Sequence, residues 1–426
     1  MATSAHGVQV CMPARFSQES ILAGRKSYTS WAAVCIGLTA PVQLHWGGIL
    51  YGSEILLAVV ALWSLMTRLG DSRFWRRPVT TLMASLVTTL LAYVVADMIW
   101  ATETQNVLRG WARIVFLGSN FLGLYFLCRR EPFNILRYAV AGAAGTIAYL
   151  AWSGRLLEDW KFGASVPLTI LIACLAPLAA RRGVLAVAGS LALVAAGVLH
   201  VALDFREIGG SCLLGGMLLL ARSSAIRLKA ASWAVLATAC MAVFLYVYVL
   251  SDEEFGQRRQ LSNAWRTAAL VTAGAGISQS PWVGNGSQAN NFEFQSQYDA
   301  IFAERTGIRY RGELTDTSTF SPHSQILQAW FEAGVFGITF FLYFGWKLIK
   351  AAQWCIFRRS LDAFSMLFTF CLLQAGWHLL FSPFAGLARL DVALAAVVIC
   401  VLDLQRKGYL RPAAFQRQRT TQTHIR

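Results

Sequence analysis

Charge is what this sequence has least of. Only 14% of its 426 residues are Asp, Glu, Lys or Arg, where a soluble chain carries about a quarter. That excludes an ordinary soluble globular protein of this length. Acidic residues are the scarcer kind, 22 against 37 basic. The resulting excess of positive charge does not indicate nucleic acid. Most Lys and Arg lie in short gaps between apolar runs, the distribution that the positive-inside rule gives a membrane protein. None of the nine cysteines falls in the one long polar stretch, so no structural disulfide is expected. Residues 1–26 lack an apolar h-region and a small-residue cleavage site, so no removable signal peptide is expected. Tandem repeats and low-complexity tracts are lacking too. So is any His/Cys/Asp/Glu grouping with metal-ligand spacing outside the apolar runs.

What is abundant is apolar: 56% of residues are hydrophobic and the mean hydropathy is +0.50. A bilayer span needs roughly 20 such residues. Cut on that length, the chain gives spans at 28–44, 47–66, 79–101, 111–127, 133–152, 164–180, 183–203, 209–220, 232–250, 323–349, 361–381 and 387–404. The fold class expected is therefore all-α, a polytopic membrane protein of about 12 transmembrane helices. Every second connection is basic, for example Arg68 to Arg77, Arg129-Arg130 and Arg181-Arg182. By the charge rule these connections and both termini are cytoplasmic. The division expected is nine helices in 1–250, an extracytoplasmic loop in 251–322, three helices in 323–404 and a basic tail in 405–426.

A connection as long as 251–322 needs structure of its own, so short amphipathic helices are expected inside it. Residues 255–272 read as one, with Leu261, Ala264, Trp265 and Ala268 on a single face. Gly284-Asn285-Gly286 marks a tight turn. Its glycines serve either the turn alone or the close approach of backbone N–H groups to a phosphate.

Ser321-Pro322-His323 reads as a helix start, with Ser321 as N-cap and Pro322 at the first helical position. A histidine there faces the positive end of the helix dipole, which discourages its protonation and leaves it able to accept a proton. In one continuous helix, Gly334 and Gly337 return to the face carrying His323 at roughly 100° per residue. The alternative is an interfacial histidine above a small-residue packing face. Glu54, Asp97, Glu332 and Asp391 fall in or near spans, where a charge needs a partner or water. Arg389 and Asp391 lie at a span end, as interfacial residues do. His45, His200 and His378 fit capping or packing roles. Trp152, Trp160, Trp265 and Trp282 fit an outer aromatic belt. The outward-facing Arg155, Lys161, Arg305, Arg309 and Arg311 suit either a phosphorylated oligosaccharide or lipid headgroups.

His323-Ser324, nine residues, Gly334, two residues, Gly337 resembles the His-[Asn/Ser/Gln]-x9-Gly-x-x-Gly signature of the bacterial O-antigen ligases. That superfamily also contains O-antigen polymerases and pilin O-oligosaccharyltransferases. The family's large periplasmic loop just before the histidine helix has its counterpart here. Its outer-end arginine corresponds to Arg206, within Asp204-Phe205-Arg206-Glu207 where the family often has Ser-Arg-Gly. Its second arginine precedes a Pro-x-x-Gly-x-Gly turn, matched by Pro281, Gly284 and Gly286. Arg266 takes that place, with Arg259 as the competing assignment.

The resemblance implies a metal-independent, inverting glycosyltransferase of the bacterial inner membrane with its active site facing the periplasm. It would move O-antigen glycan from undecaprenyl pyrophosphate to a sugar hydroxyl of lipid A–core oligosaccharide, without cofactor, metal or nucleic acid. His323 would be the base, and Arg206 with Arg266 or Arg259 would hold the pyrophosphate through guanidinium forks. Within the superfamily the competing reading is a polymerase that extends glycan on the lipid carrier. Outside it stands a lipid-linked glycan transporter, a class that often has two similar halves.

Overall fold

The computed structural model describes residues 28–45, 49–156, 160, 163–179, 183–203, 205–221, 253–288, 292–308, 320, 322–357, 365–384 and 386–407. Nearly all of it is helix. In chain order the elements are α1 (Tyr28–Leu38), a hairpin of β1 (Gln43–His45) and β2 (Ile49–Tyr51), α2 (Gly52–Arg68), α3 (Arg77–Ile99), α4 (Thr104–Cys128) and α5 (Phe133–Trp152). Then come α6 (Ser165–Ala179), α7 (Gly183–Ala202), α8 (Arg206–Ala221), α9 (Glu253–Gln279) and α10 (Phe292–Thr306). The last four are α11 (Gln325–Gly337), α12 (Thr339–Phe357), α13 (Ser365–Phe381) and α14 (Ala388–Arg406). The span expected at 232–250 lies outside the described residues.

Among the described residues three helices, α3, α4 and α5, are long and apolar enough to cross a bilayer, and α11 with α12 makes a fourth if that bent pair is one span. Several other expected spans are shorter than a bilayer requires; α1, for instance, is 11 residues. It stops because Pro41 offers no N–H and its ring disfavours helix in the residue before it. The chain then turns into the antiparallel hairpin, with Leu44 opposite Leu50, where an unbroken span to residue 44 was expected.

The principal core gathers Leu57 from α2, Leu82 and Tyr93 from α3, Phe121 and Tyr125 from α4, Phe341 from α12 and the 392–404 stretch of α14. The polar loop has a second core. Ala264, Ala268, Ala269 and Ala273 of α9 pack on Phe294, Tyr298 and Phe302 of α10, with Phe320 and Phe331. The expected apolar face of residues 255–272 is thus present, with Leu261 packed at its edge. Trp265 lies edge-on to Tyr298 and Phe302, at 5.7 and 5.1 Å between centroids. Trp152 and Trp282 remain broadly exposed.

The expected helix from residue 323 to 349 is two helices. α11 and α12 meet at 108°, and a further break lies inside α11 at Ala333 and Gly334. Gly334 has φ 66° and ψ −164°, a region open to almost nothing but glycine. A side chain there would also run into the Trp282 carbonyl. The face-sharing of His323, Gly334 and Gly337 inferred from continuous helical spacing therefore does not hold. Gly334 serves the break, and Gly337 stays buried against Ala329.

Breaking a helix frees backbone groups that an apolar setting cannot hydrate. The Pro281–Gly286 turn supplies their partners. Asn285 N–H donates to the Phe331 carbonyl at 2.8 Å, Gly286 N–H to the Glu332 carbonyl at 2.9 Å, and Val335 N–H to the Pro281 carbonyl at 3.1 Å. Positive φ at Gly284 and Gly286 lets the turn lie this close. At the next corner the Thr89 hydroxyl donates to the Gly337 carbonyl and accepts from Phe340 N–H.

Candidate active site

Ser324, not Ser321, caps α11. It is extended, its Oγ accepts from Leu327 N–H, and it donates to the Leu379 carbonyl on α13 at 3.1 Å. His323 consequently sits one residue outside the helix, ahead of the cap rather than in the first turn, and is exposed. Gln328 fixes the same helix from below. Its Oε1 accepts from Phe384 N–H at 2.8 Å, and its Nε2 donates to Glu332 at 3.1 Å.

Arg266 lies on the exposed side of α9, and its charge reaches His323. Partial loss of water and then the Arg266 guanidinium hold the imidazole below its ordinary pKa. Because His323 stays exposed, its desolvation is shallow, and the neighbouring charge is the firmer cause. Arg259 precedes Arg266 by two helical turns on the same stripe of α9; its side chain lies outside the described residues. So does that of Arg206, whose backbone opens α8.

The start of α8 is nevertheless well placed. Glu207 Oε1 accepts from Gln374 Nε2 at 2.8 Å and lies 3.3 Å from His378 Nδ1. His378 Nε2 is 3.2 Å from Asp391 Oδ2, and its Nδ1 is 3.1 Å from Ser382 Oγ. This group sits on the last turns of α13, where Ser324 also docks, so Arg206 and His323 share one end of the bundle. His200 steadies the turn before α8. Trp160 Nε1–H donates to its Nδ1 at 2.9 Å, and Phe205 N–H donates to its carbonyl at 2.7 Å. The Thr169 hydroxyl is committed to the Ser165 carbonyl, so it accepts from His200 Nε2–H at 2.7 Å. The ring is thereby fixed neutral with the proton on Nε2. His200 is a packing histidine, as expected, whereas His378 sits between two carboxylates. Spacing gave no sign of that cluster, since its members come from three helices.

Glu54, Asp97 and Glu332, the carboxylates expected in or near spans, each have partners. Glu332 Oε2 accepts from Tyr93 at 2.8 Å and from Arg113 at 2.7 Å, while its Oε1 takes Gln288 N–H at 3.2 Å. Asp97 accepts from Trp111 at 2.7 Å and from the backbone and hydroxyl of Ser287 at 2.6 and 2.7 Å. Arg389, expected to be interfacial, is buried and grips Glu54 bidentately at 2.9 and 2.8 Å. Glu332 and Asp97 pin the 286–288 segment to α3 and α4. The Gly284–Gly286 turn is thus a structural clasp, with its Asn285 and Gly286 N–H groups already committed to carbonyls.

A search of curated proteins finds no match. Residues 167–342 match the model of a family described as O-antigen ligase. The segment contains Arg206, Arg259, Arg266, His323, Gly334 and Gly337, and it ends before His378 and Asp391. The family covers O-antigen ligases and polymerases and implies a glycosyltransferase-like enzyme of O-antigen processing. Over this segment the chain is similar to the O-antigen ligase family.

Proposed function

We propose that this protein is an O-antigen ligase, transferring glycan from undecaprenyl pyrophosphate to a sugar hydroxyl of lipid A–core oligosaccharide at the periplasmic face of the bacterial inner membrane. What supports the reading is that the Arg266 charge is felt at His323, at the end of the bundle where Arg206 opens α8. An imidazole kept neutral accepts the acceptor hydroxyl's proton. The freed oxygen attacks the anomeric carbon from the face opposite the leaving group. The bond from that carbon to the pyrophosphate oxygen breaks with inversion, and the electron pair leaves on the lipid pyrophosphate. Arg266 and Arg206 meet the growing negative charge with guanidinium forks, which suit phosphate oxygens. The about 12 spans, cytoplasmic termini and periplasmic loop of the sequence reading belong to the same proposal.

Purified protein incubated with lipid-linked glycan and lipid A–core, without nucleotide or added metal, tests it. Glycan on lipid A–core is the expected product. Longer glycan on the carrier with no capped core would make the protein a polymerase, and absence of any transfer by folded protein would reject the glycosyltransferase reading.

A further inference from the structure

The end of the bundle opposite His323 carries a feature that glycan transfer does not use. α2 and α4 finish there and α3 begins, and a cavity of about 600 Å³ opens among Arg68, Arg73, Arg76, Arg129 and Arg130. Among the described residues Asp71 is the one carboxylate in its wall. It lies 3.7 Å from Arg68 and 3.5 Å from Arg129, so a single negative charge faces five guanidinium groups. Arg129 is buried, its guanidinium 4.8 Å from the centre of the Phe74 ring. Burial first, then the neighbouring Arg130, pull its pKa below the ordinary arginine value. The Nε of Arg68 is buried without a hydrogen-bond acceptor. Concentrated positive charge on this scale calls for an anion.

A second lobe of about 320 Å³ adjoins the first, sharing Arg68, Arg129 and Arg130, and its other wall is largely apolar, with Tyr28, Phe126 and Leu127 beside Thr29 and Glu131, whose carboxylate is paired with Arg137 at 2.6 Å. Met66 and Leu69, flanking Arg68, are among the most exposed apolar side chains of the molecule at 75% and 72%. A basic pocket that passes into an apolar wall beside lipid-facing side chains matches a phosphate ester carrying a hydrocarbon tail better than a free ion. We infer that this cavity is a headgroup site for an anionic phospholipid, whose phosphate sits among Arg68, Arg129 and Arg130 and whose acyl chain runs along the Phe126 and Leu127 side. The inference is independent of which glycan the opposite end transfers.

Full-length protein in detergent is titrated with phosphatidylglycerol, with phosphatidylcholine and with inorganic phosphate. Bound lipid is read by native mass spectrometry and stability by thermal unfolding. Arg73 and Arg130 are exposed, so the variant with Arg73→Gln and Arg130→Gln should fold. Phosphatidylglycerol is expected to bind wild type selectively, raise its unfolding temperature and survive millimolar inorganic phosphate. The double variant should bind it roughly 30-fold more weakly, the product of about fivefold for each arginine near a membrane surface. Equal retention of phosphatidylcholine, unchanged binding by the double variant, or displacement of the lipid by inorganic phosphate would each overturn the assignment. The last would make it a free-phosphate site.

Discussion

Arg266 acts on His323 through charge as well as through any phosphate it holds, and the two effects separate by pH. Partial desolvation and then the guanidinium place the His323 pKa below its ordinary value, about 6.5. A base must be neutral to accept a proton, so transfer should fall as the pH drops through that lowered pKa and stay level above it. Arg266→Gln removes the repulsion, so the imidazole should titrate at higher pH. Nuclear magnetic resonance of labelled His323 reads this even where transfer is lost, and an unchanged pKa would place Arg266 too far away to matter. His323→Gln keeps hydrogen bonding but cannot take a proton, and should lose about 100- to 10,000-fold in transfer. A Gln variant with near-normal rate would leave His323 an orienting group. Arg113 is a different kind of residue, buried against Glu332. Arg113→Ala strands a carboxylate in the interior and should lose about 3–5 kcal/mol of stability. Adding Glu332→Gln should recover part of that, because an amide needs no counter-charge. Thermal unfolding in detergent of the single and double variants measures the recovery.

At the scale of elements, the broken helix α11 explains a spacing that sequence alone misassigned. From Ser324 the helix runs eight residues, roughly 12 Å at 1.5 Å each, before it breaks against the 281–286 turn. The interval between His323 and Gly334 therefore sets the distance from the histidine to the clasp. Gly334→Ala should destabilise by at least about 1–3 kcal/mol from backbone strain alone. It should also loosen the 281–288 segment, read as faster amide exchange at Asn285 and Gly286. Protection equal to wild type would separate the clasp from the break. The break was not legible because Glu332-Ala333-Gly334-Val335 is compatible with a helix, and its partner lies about fifty residues earlier in the chain. Strong local pattern, by contrast, was enough: residues 133–152 formed the expected helix with the expected bounds. The loop helix α10 carries a readable signal, since Phe294, Tyr298 and Phe302 recur every four residues. For the site, the reading of His323 rested on the Ser321-Pro322-His323 pattern as well as the family-like motif, and that of the arginine positions on the resemblance alone. The Glu207, His378 and Asp391 group came only from folding, because its members are separated by long stretches of chain.

Across the whole molecule, polar groups divide between two ends. α2 runs from the buried Glu54 to Arg68, α3 returns from Arg77 to Asp97, and α4 runs again to Arg129. One end therefore holds Glu54, Asp97, His378 and His323, and the other holds Arg68, Arg76, Arg129 and, at the close of α14, Arg406. Basic residues crowd the end away from His323, which is how charge sets orientation in a bilayer. The final prediction is topological. In a cysteine-free background, Ser72→Cys and Ser278→Cys each place one thiol at an exposed position, beside the arginine cavity and near the Pro281 turn respectively. A reagent that cannot cross the inner membrane should label Ser278→Cys in cells whose outer membrane is permeable, and should reach Ser72→Cys only after lysis. The reverse pattern would invert the protein and place His323 on the cytoplasmic side, where the acceptor assigned to it is not presented. Labelling of both from outside would mean that the connection between α2 and α3 does not sit behind the bilayer. The headgroup site would then have to draw on the outer leaflet, while the effect of the Arg266 charge on His323 would stand unchanged.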